Sequence, residues 1–162
     1  MITRERLKKL LHYDPEMGIF TRKVTRTNTK AGDRVGCDNG FGYLRVYIED
    51  RRYFVHKLAW LYVYGEWVEG YIDHIDLDKS NNRIANLRPA TRSQNQANKR
   101  ISSRNKTGFK GVHWSERYKR FIAQIEKNNK NKCLGHFKTA EEAHAAYCKA
   151  AEKIHGEFAR AA

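Results

Sequence analysis

Residues 71–99 read Y-I-D-H-I-D-L-D-K-S-N-N-R-I-A-N-L-R-P-A-T-R-S-Q-N-Q-A-N-K, and the order of residue types along this stretch decides the fold. A short apolar run ends at Asp73-His74, so a strand is expected to stop there. The Asp/Asn/Ser/Lys-rich segment 76–83 then turns the chain. Leu87 to Ala90 returns as a second strand beside the first. Thr91-Arg92-Ser93-Gln94 fits the S/T-x-x-E/Q capping box, with Thr91 as N-cap and Gln94 at N3, so a helix is predicted from Arg92. Asn95 follows at N4, in the first turn. The segment reads as strand, loop, strand, helix.

In that arrangement Asp73 and Asn95 are expected to meet on one hard cation. Oxygen ligands suit magnesium, which keeps waters and bridges to phosphate. His74, next to Asp73, leaves the strand on the opposite face and is placed to take a proton from an attacking water. Asn86 would tie the loop to the hairpin through its amide and so steady the histidine. The bland reading makes Asp73, His74 and the asparagines turn and cap residues, which suit such places for local hydrogen-bonding reasons. That reading accounts for Asn81 and Asn82 well, and for Asp73-His74 at a strand end less well.

The constellation resembles the HNH endonuclease family, whose core is the ββα-metal (His-Me finger) fold. His74, Asn86 and Asn95 match the motif residues, and Asp73 matches the first metal ligand. The run D-H-I-D, N-N-R-I-A-N-L-R and Q-N is most similar to phage and intron-encoded homing enzymes. The resemblance implies a nuclease using one Mg2+ or Mn2+ per active site, cutting a DNA phosphodiester to leave 5′ phosphate and 3′ hydroxyl. A single such site would nick one strand. Lys99 stands where many family members have a further histidine, so the site resembles the version with few protein ligands.

Composition agrees with a polyanionic partner. Lys and Arg number 32 against 18 Asp and Glu, a net charge of +14, with nine Tyr and three Trp interleaved. Neutralised phosphates release counterions, and this term dominates nucleic-acid affinity. No run approaches the roughly 20 apolar residues that span a bilayer. Met1-Ile2-Thr3-Arg4-Glu5-Arg6-Leu7 lacks the apolar core of a signal peptide, so a cytoplasmic protein is expected, and the resemblance to phage and intron enzymes implies that it is phage- or bacterium-encoded. Cys37, Cys133 and Cys148 are isolated and odd in number, so no structural zinc is expected.

Residues 3–12 read as a helix with Leu7, Leu10 and Leu11 on one face. A turn and strand follow through Y-D-P-E-M-G-I-F-T-R-K-V. Residues 25–34 read as a polar loop. Tyr43 to Ile48 alternates as a half-buried strand, Glu49 to Arg52 turns without glycine, and Tyr53-Phe54-Val55 returns. Val55 to Tyr62 carries a helical stripe at Val55, Leu58, Ala59 and Tyr62, with Gly65 as a C′ residue. His56 opens that helix and reads as a structural rather than a catalytic histidine. Trp60 and Trp67 read as core.

The basic segment 100–107, with Arg100 and Arg104, reads as an interdomain linker able to lie along phosphates, or as a plain tether. Beyond it come three strand-like runs, at Lys110–Trp114, Arg120–Ile125 and Lys132–Phe137. A second capping box, Thr139-Ala140-Glu141-Glu142, opens a helix striped by Ala143, Ala146, Tyr147, Ala150 and Ile154 and ended by Gly156. Residues 107–162, through G-F-K-G-V, F-I-A-Q-I, L-G-H-F-K-T-A-E-E-A and H-G-E, resemble the Apetala/ethylene-response-factor type of DNA-binding domain. That family lays its sheet in the major groove. The resemblance implies DNA contact by Lys110 and Gln124 and, loosely, by His113. Cys133 replaces a DNA-facing aromatic, so sequence preference does not carry over. Arg120, Lys127, Lys130 and Lys132 would present charge to phosphates, which position without specifying, and Gln124 could read a base edge. The plain alternative for these lysines is a solvated face.

The expected protein is thus α+β. A nuclease domain spans 1–99, with its core at 53–99. A linker covers 100–107, and a three-stranded antiparallel sheet on one helix covers 108–162. It would be a nicking, homing-type endonuclease on double-stranded DNA, as a monomer or a dimer on the duplex. A DNA-binding regulator on an inactive nuclease scaffold is the alternative. A third reading is a basic RNA-binding or assembly protein, distinguished by binding, since a sheet-in-groove module should prefer B-form duplex over RNA, whose deep major groove excludes it.

Overall fold

A computed structural model describes residues 1–25, 28–127 and 130–160. Parts of the expected 25–34 loop (26 and 27), of the turn before the last strand (128 and 129) and of the 108–162 domain (161 and 162) lie outside the described residues. The chain divides into two compact units, Met1–Pro89 and Ala90–Ala162.

In the first unit, α1 spans Arg4–Leu10, and the Thr3 hydroxyl accepts from the Arg6 amide at its start. The helix stops short of residue 12 because Leu11 and Tyr13 are buried at the two-residue period of a strand. β1 (Leu11–Asp14) pairs antiparallel with β2 (Ile19–Arg22), and β3 (Arg34–Val35) adds to β2. A second antiparallel sheet has the order β4 (Cys37–Asp38), β5 (Leu44–Ile48), β6 (Arg51–Phe54). The β5–β6 turn is only Glu49-Asp50. Both have positive φ, 46° and 61°, as a two-residue turn matching strand twist requires. Arg51 and Arg52, expected in that turn, therefore belong to the strand.

Helix α2 (Val55–Tyr64) ends at Gly65, which takes the left-handed conformation at φ 87°. It buries Val55, His56, Leu58, Ala59 and Leu61 against a core that includes Leu7, Leu11, Tyr13 and Phe20. Trp60 and Trp67 pack on the margin of that core. β7 (Tyr71–His74) and β8 (Leu87–Ala90) form a two-stranded sheet, and a short 3-10 turn, Ile84–Asn86, leads into β8. Both strands fall where the sequence predicts them.

The second unit opens with α3 (Arg92–Asn98). Its capping box is complete: Thr91 Oγ1 accepts from the Gln94 amide, and Gln94 Oε1 accepts from the Thr91 amide at 2.8 Å. The expected domain boundary lay at 99, after this helix, whereas α3 falls with the C-terminal unit. Two interactions account for that. Ser93 Oγ donates to the Glu126 carbonyl at 3.3 Å. Lys110 Nζ donates to the carbonyls of Ala97 and of Lys99, the latter at 2.6 Å. The expected linker is correspondingly structured at its end. Asn105 Oδ1 accepts from the amides of Thr107 and Gly108, and its Nδ2 donates to the Phe109 carbonyl, each at 2.9 Å.

β9 (Val112–Ser115), β10 (Arg120–Lys127) and β11 (Lys130–Phe137) form an antiparallel sheet with β10 central. Helix α4 (Ala140–His155) packs on it, opened by a complete Thr139/Glu142 box. Its buried stripe is Ala140, Ala143, Tyr147, Ala151 and His155, turned from the expected one. The stripe centres on Tyr147 because Gly111 lies against its ring, where a Cβ would come within 2.1 Å. Among the described residues no helix is long and apolar enough to cross a membrane.

Candidate active site

β7 ends in two buried polar residues, Asp73 at 4% and His74 at 5% exposure. Successive strand residues point to opposite faces, so both faces of this strand end are covered. A buried charge requires a partner, and Asp73 has one. Arg88, on the neighbouring strand β8, donates to Asp73 Oδ2 through Nε and Nη2, each at 3.0 Å. The guanidinium fork fixes the carboxylate in one orientation.

The loop after β7 is built almost wholly from its own side chains. Asn86 Oδ1 accepts from the Asp76 amide at 3.0 Å, and its Nδ2 donates to Asp76 Oδ1 and to the Asn81 carbonyl, both at 2.9 Å. The Ile75 amide donates to the Asn86 carbonyl at 3.0 Å. Asn81 Nδ2 donates to Asp76 Oδ2 at 2.6 Å. Burial would raise the Asp76 pKa, but the hydrogen bonds from Asn81, Asn86 and the Asp78 amide hold its carboxyl below the ordinary range. Ser80 hydrogen bonds do the same for Asp78.

The His74 ring is held by Asn82 rather than by Asn86. His74 Nε2 lies 3.3 Å from Asn82 Oδ1. Asn82 is 1% exposed and is itself pinned on three sides. Its Nδ2 donates to the Ser80 carbonyl at 2.9 Å, and its carbonyl accepts from Tyr13 Oη at 2.6 Å. Gly18, at φ 71°, lies so close that a Cβ there would stand 2.3 Å from the Arg83 nitrogen and 2.5 Å from the Asn82 carbonyl carbon. On its other side His74 meets His56 edge-on at 5.1 Å between centroids, with the Tyr43 ring at 5.9 Å. Burial lowers the His74 pKa from its ordinary value, against the opposing influence of Asn82, Asp76, Asp73 and Asp78. The same cause takes His56 to about 3. His74 is therefore a neutral imidazole near pH 7, as a general base must be.

Sequence reasoning missed Asn82 and Arg88. Asn82 was explained by the turn alone, although a second asparagine directly after Asn81 is more than one turn needs. Arg88 is a cation on the strand paired with the one that ends in Asp73, which was the available signal.

Asn95 lies in the first turn of α3 in the C-terminal unit, with its amide bonded to the Thr91 carbonyl at 2.9 Å. Among the described residues no group of three or more His, Cys, Asp or Glu is arranged to hold a metal ion. The donors named for one are a carboxylate and an amide oxygen. That chemistry fits a hard divalent cation, which keeps several waters and needs few protein ligands.

In the C-terminal unit the register of β9–β10–β11 sorts the other named residues. Cross-strand partners Arg120 and Ser115, Ile122 and His113, and Gln124 and Cys133 share the sheet face opposite buried Ala123 and Ile125. Arg120, His113 and Gln124 are therefore on one solvent face. Lys127 pairs with Lys130 at the hairpin end, and exposed Lys132 pairs with Ile125. Arg100 and Arg104 are exposed. Lys110, expected to contact DNA, has its ammonium on the C-terminal carbonyls of α3, and burial lowers its pKa to about 8.

The HNH endonuclease family model matches residues 53–97. The chain is 38% identical over 104 residues to a protein of Acanthamoeba polyphaga mimivirus named as an HNH endonuclease, covering 60% of this chain and 53% of that one. It is 30% identical over 121 residues to Protein 3.8 of Escherichia phage T7, covering 73% of this chain and 95% of that one. The chain thus spans about half the length of the mimivirus relative. No solved structure matches. Residues 53–97 are thus an HNH endonuclease domain.

Proposed function

We propose that this protein is a divalent-metal-dependent endonuclease that cleaves one strand of duplex DNA, with His74 as the general base. The observation that carries the reading is the buried imidazole at the end of β7, beside an ion-paired carboxylate and over a loop braced by its own amides.

His74 accepts the proton of a water, whose oxygen attacks phosphorus in line with the departing 3′ oxygen. Asp73 and Asn95 would hold the ion, magnesium or manganese. When bound, the ion supplies charge neutralisation at the scissile phosphate. Asn86 keeps the loop folded so that the strand end stays in place. Homing-type action and a nicked product follow from the likeness to phage and intron enzymes and from one such site per chain. Duplex binding is assigned to the solvent face of the β9–β11 sheet through Arg120, His113 and Gln124. Lys127, Lys130, Lys132, Arg100 and Arg104 are assigned to phosphates. The surplus of basic residues supports this assignment.

The test is conversion of supercoiled plasmid to open circle with magnesium and with EDTA, for wild type and His74→Ala. Loss of the base should cost roughly 10²- to 10⁴-fold in rate with duplex affinity retained. Tight binding without cleavage by wild type across several metals and substrates would overturn the reading and favour a DNA-binding regulator.

A further inference from the structure

We infer that Asn82 is a positioning residue that fixes the His74 tautomer, leaving the proton on Nε2 and the reactive lone pair on Nδ1. The inference rests on the nuclease reading for its consequence and on hydrogen-bond geometry for its substance. An amide has one accepting and one donating end, and which end faces a neighbour is settled by what the other end meets. Here Asn82 Nδ2 donates to the Ser80 carbonyl at 2.9 Å, a group that can only accept. Oδ1 is thereby turned toward His74 Nε2 at 3.3 Å. An amide oxygen cannot donate, so Nε2 must carry the hydrogen, and Nδ1 of the neutral ring is the basic nitrogen.

The amide cannot readily turn over. Asn82 is 1% exposed, its carbonyl is tied by Tyr13 Oη at 2.6 Å, and Gly18 closes against the Asn82–Arg83 peptide. The backbone that carries the amide is therefore gripped by the β1–β2 hairpin. The proton inventory of the step is then definite. One O–H bond of water breaks and its proton goes to Nδ1. The water oxygen bonds phosphorus, the bond to the 3′ oxygen breaks, and the departing 3′ oxygen takes a proton from bulk water to leave as a hydroxyl. The Nε2 hydrogen stays on the ring, bonded to Asn82 Oδ1 throughout. As the ring becomes imidazolium that hydrogen bond gains charge assistance, so Asn82 stabilises the transition state more than the ground state.

The experiment begins with the full chain, labelled with 15N-histidine and recorded without DNA or metal near pH 8. The two ring nitrogens of His74, assigned by comparison with His74→Gln, are expected to show the proton on Nε2. A dominant Nδ1–H form in wild type would overturn the inference. Asn82→Leu, which cannot accept, should give mixed tautomers and lower kcat roughly ten- to a hundredfold, the range for outer-shell partners of a working imidazole, with KM little changed. Asn82→Asp keeps an acceptor and should retain the Nε2–H form. If Asn82→Leu fails to fold, the wild-type spectrum and Asn82→Asp still decide. Wild type that cuts DNA with the proton on Nδ1 removes this inference alone. Wild type with Nε2–H that cuts nothing supports the positioning and removes the nuclease reading.

Discussion

Replacing His56 by phenylalanine should remove a pH dependence of stability that the wild-type protein carries. His56 is 5% exposed among the rings of Tyr43, Phe54 and His74, and its Nδ1 has no hydrogen-bond partner. Burial, then the charges of His74 and Lys57, takes its pKa from 6.5 to about 3. Between those values the unfolded chain binds a proton that the folded chain refuses. The contribution is therefore complete above the unfolded value of 6.5 and is lost as the pH falls toward about 3. Linkage gives a loss of about 2 kcal/mol near pH 5 and about 3 kcal/mol near pH 4. Phenylalanine fills the same ring space and leaves no unpaired nitrogen. Urea unfolding near pH 8 and near pH 5 measures the effect. A Trp114→Phe background lets Trp60 and Trp67 report on the N-terminal unit. Burial lowers the pKa of His74 as well, but His74 is present in both proteins and largely cancels in the difference. Wild type should lose about 2 kcal/mol more than His56→Phe on acidification. Equal losses would refute the reasoning.

Arg88→Leu strands the Asp73 carboxylate in a buried place without its guanidinium and should destabilise the N-terminal unit by about 3–5 kcal/mol. An unchanged urea midpoint would contradict the buried pair. Gly18→Ala forces a residue with a Cβ to a φ of 71° against the Arg83 nitrogen. The backbone conformation alone should cost about 1–3 kcal/mol, and plasmid nicking should fall with it. Lys110→Met removes the ammonium from the α3 carbonyls and should lower the melting temperature while leaving duplex affinity nearly intact. Arg120→Ala should do the reverse, weakening duplex binding and reducing its salt slope by about 1. Equal loss of affinity in both variants would return Lys110 to the DNA surface.

Much of this was legible in residues 71–99 because its signals are local. A capping box, a polar loop and two short strand runs each speak within a few residues, and each element formed where they pointed. The α1 end was misread because Leu11 satisfies a helical stripe and a strand alternation equally. Only its pairing with Arg22 decides. Asn82 and Arg88 were not legible as site residues because their partners, Tyr13, Gly18 and Asp73, are fixed by tertiary packing. Lys110 illustrates the converse. In a basic sequence every lysine invites a phosphate, yet this one serves two carbonyls of its own chain.

The clasp of Tyr13 and Gly18 on the Asn82–Arg83 peptide bears on how such genes exchange parts. The recognisable family segment begins at residue 53, but two of the residues that hold its loop lie upstream of it. A graft of 53–97 onto a foreign leading segment would inherit every motif residue and lose the clasp. Recombination among relatives is then expected to carry hairpin and loop as one inherited block, with positions 13, 18 and 82 changing together or not at all.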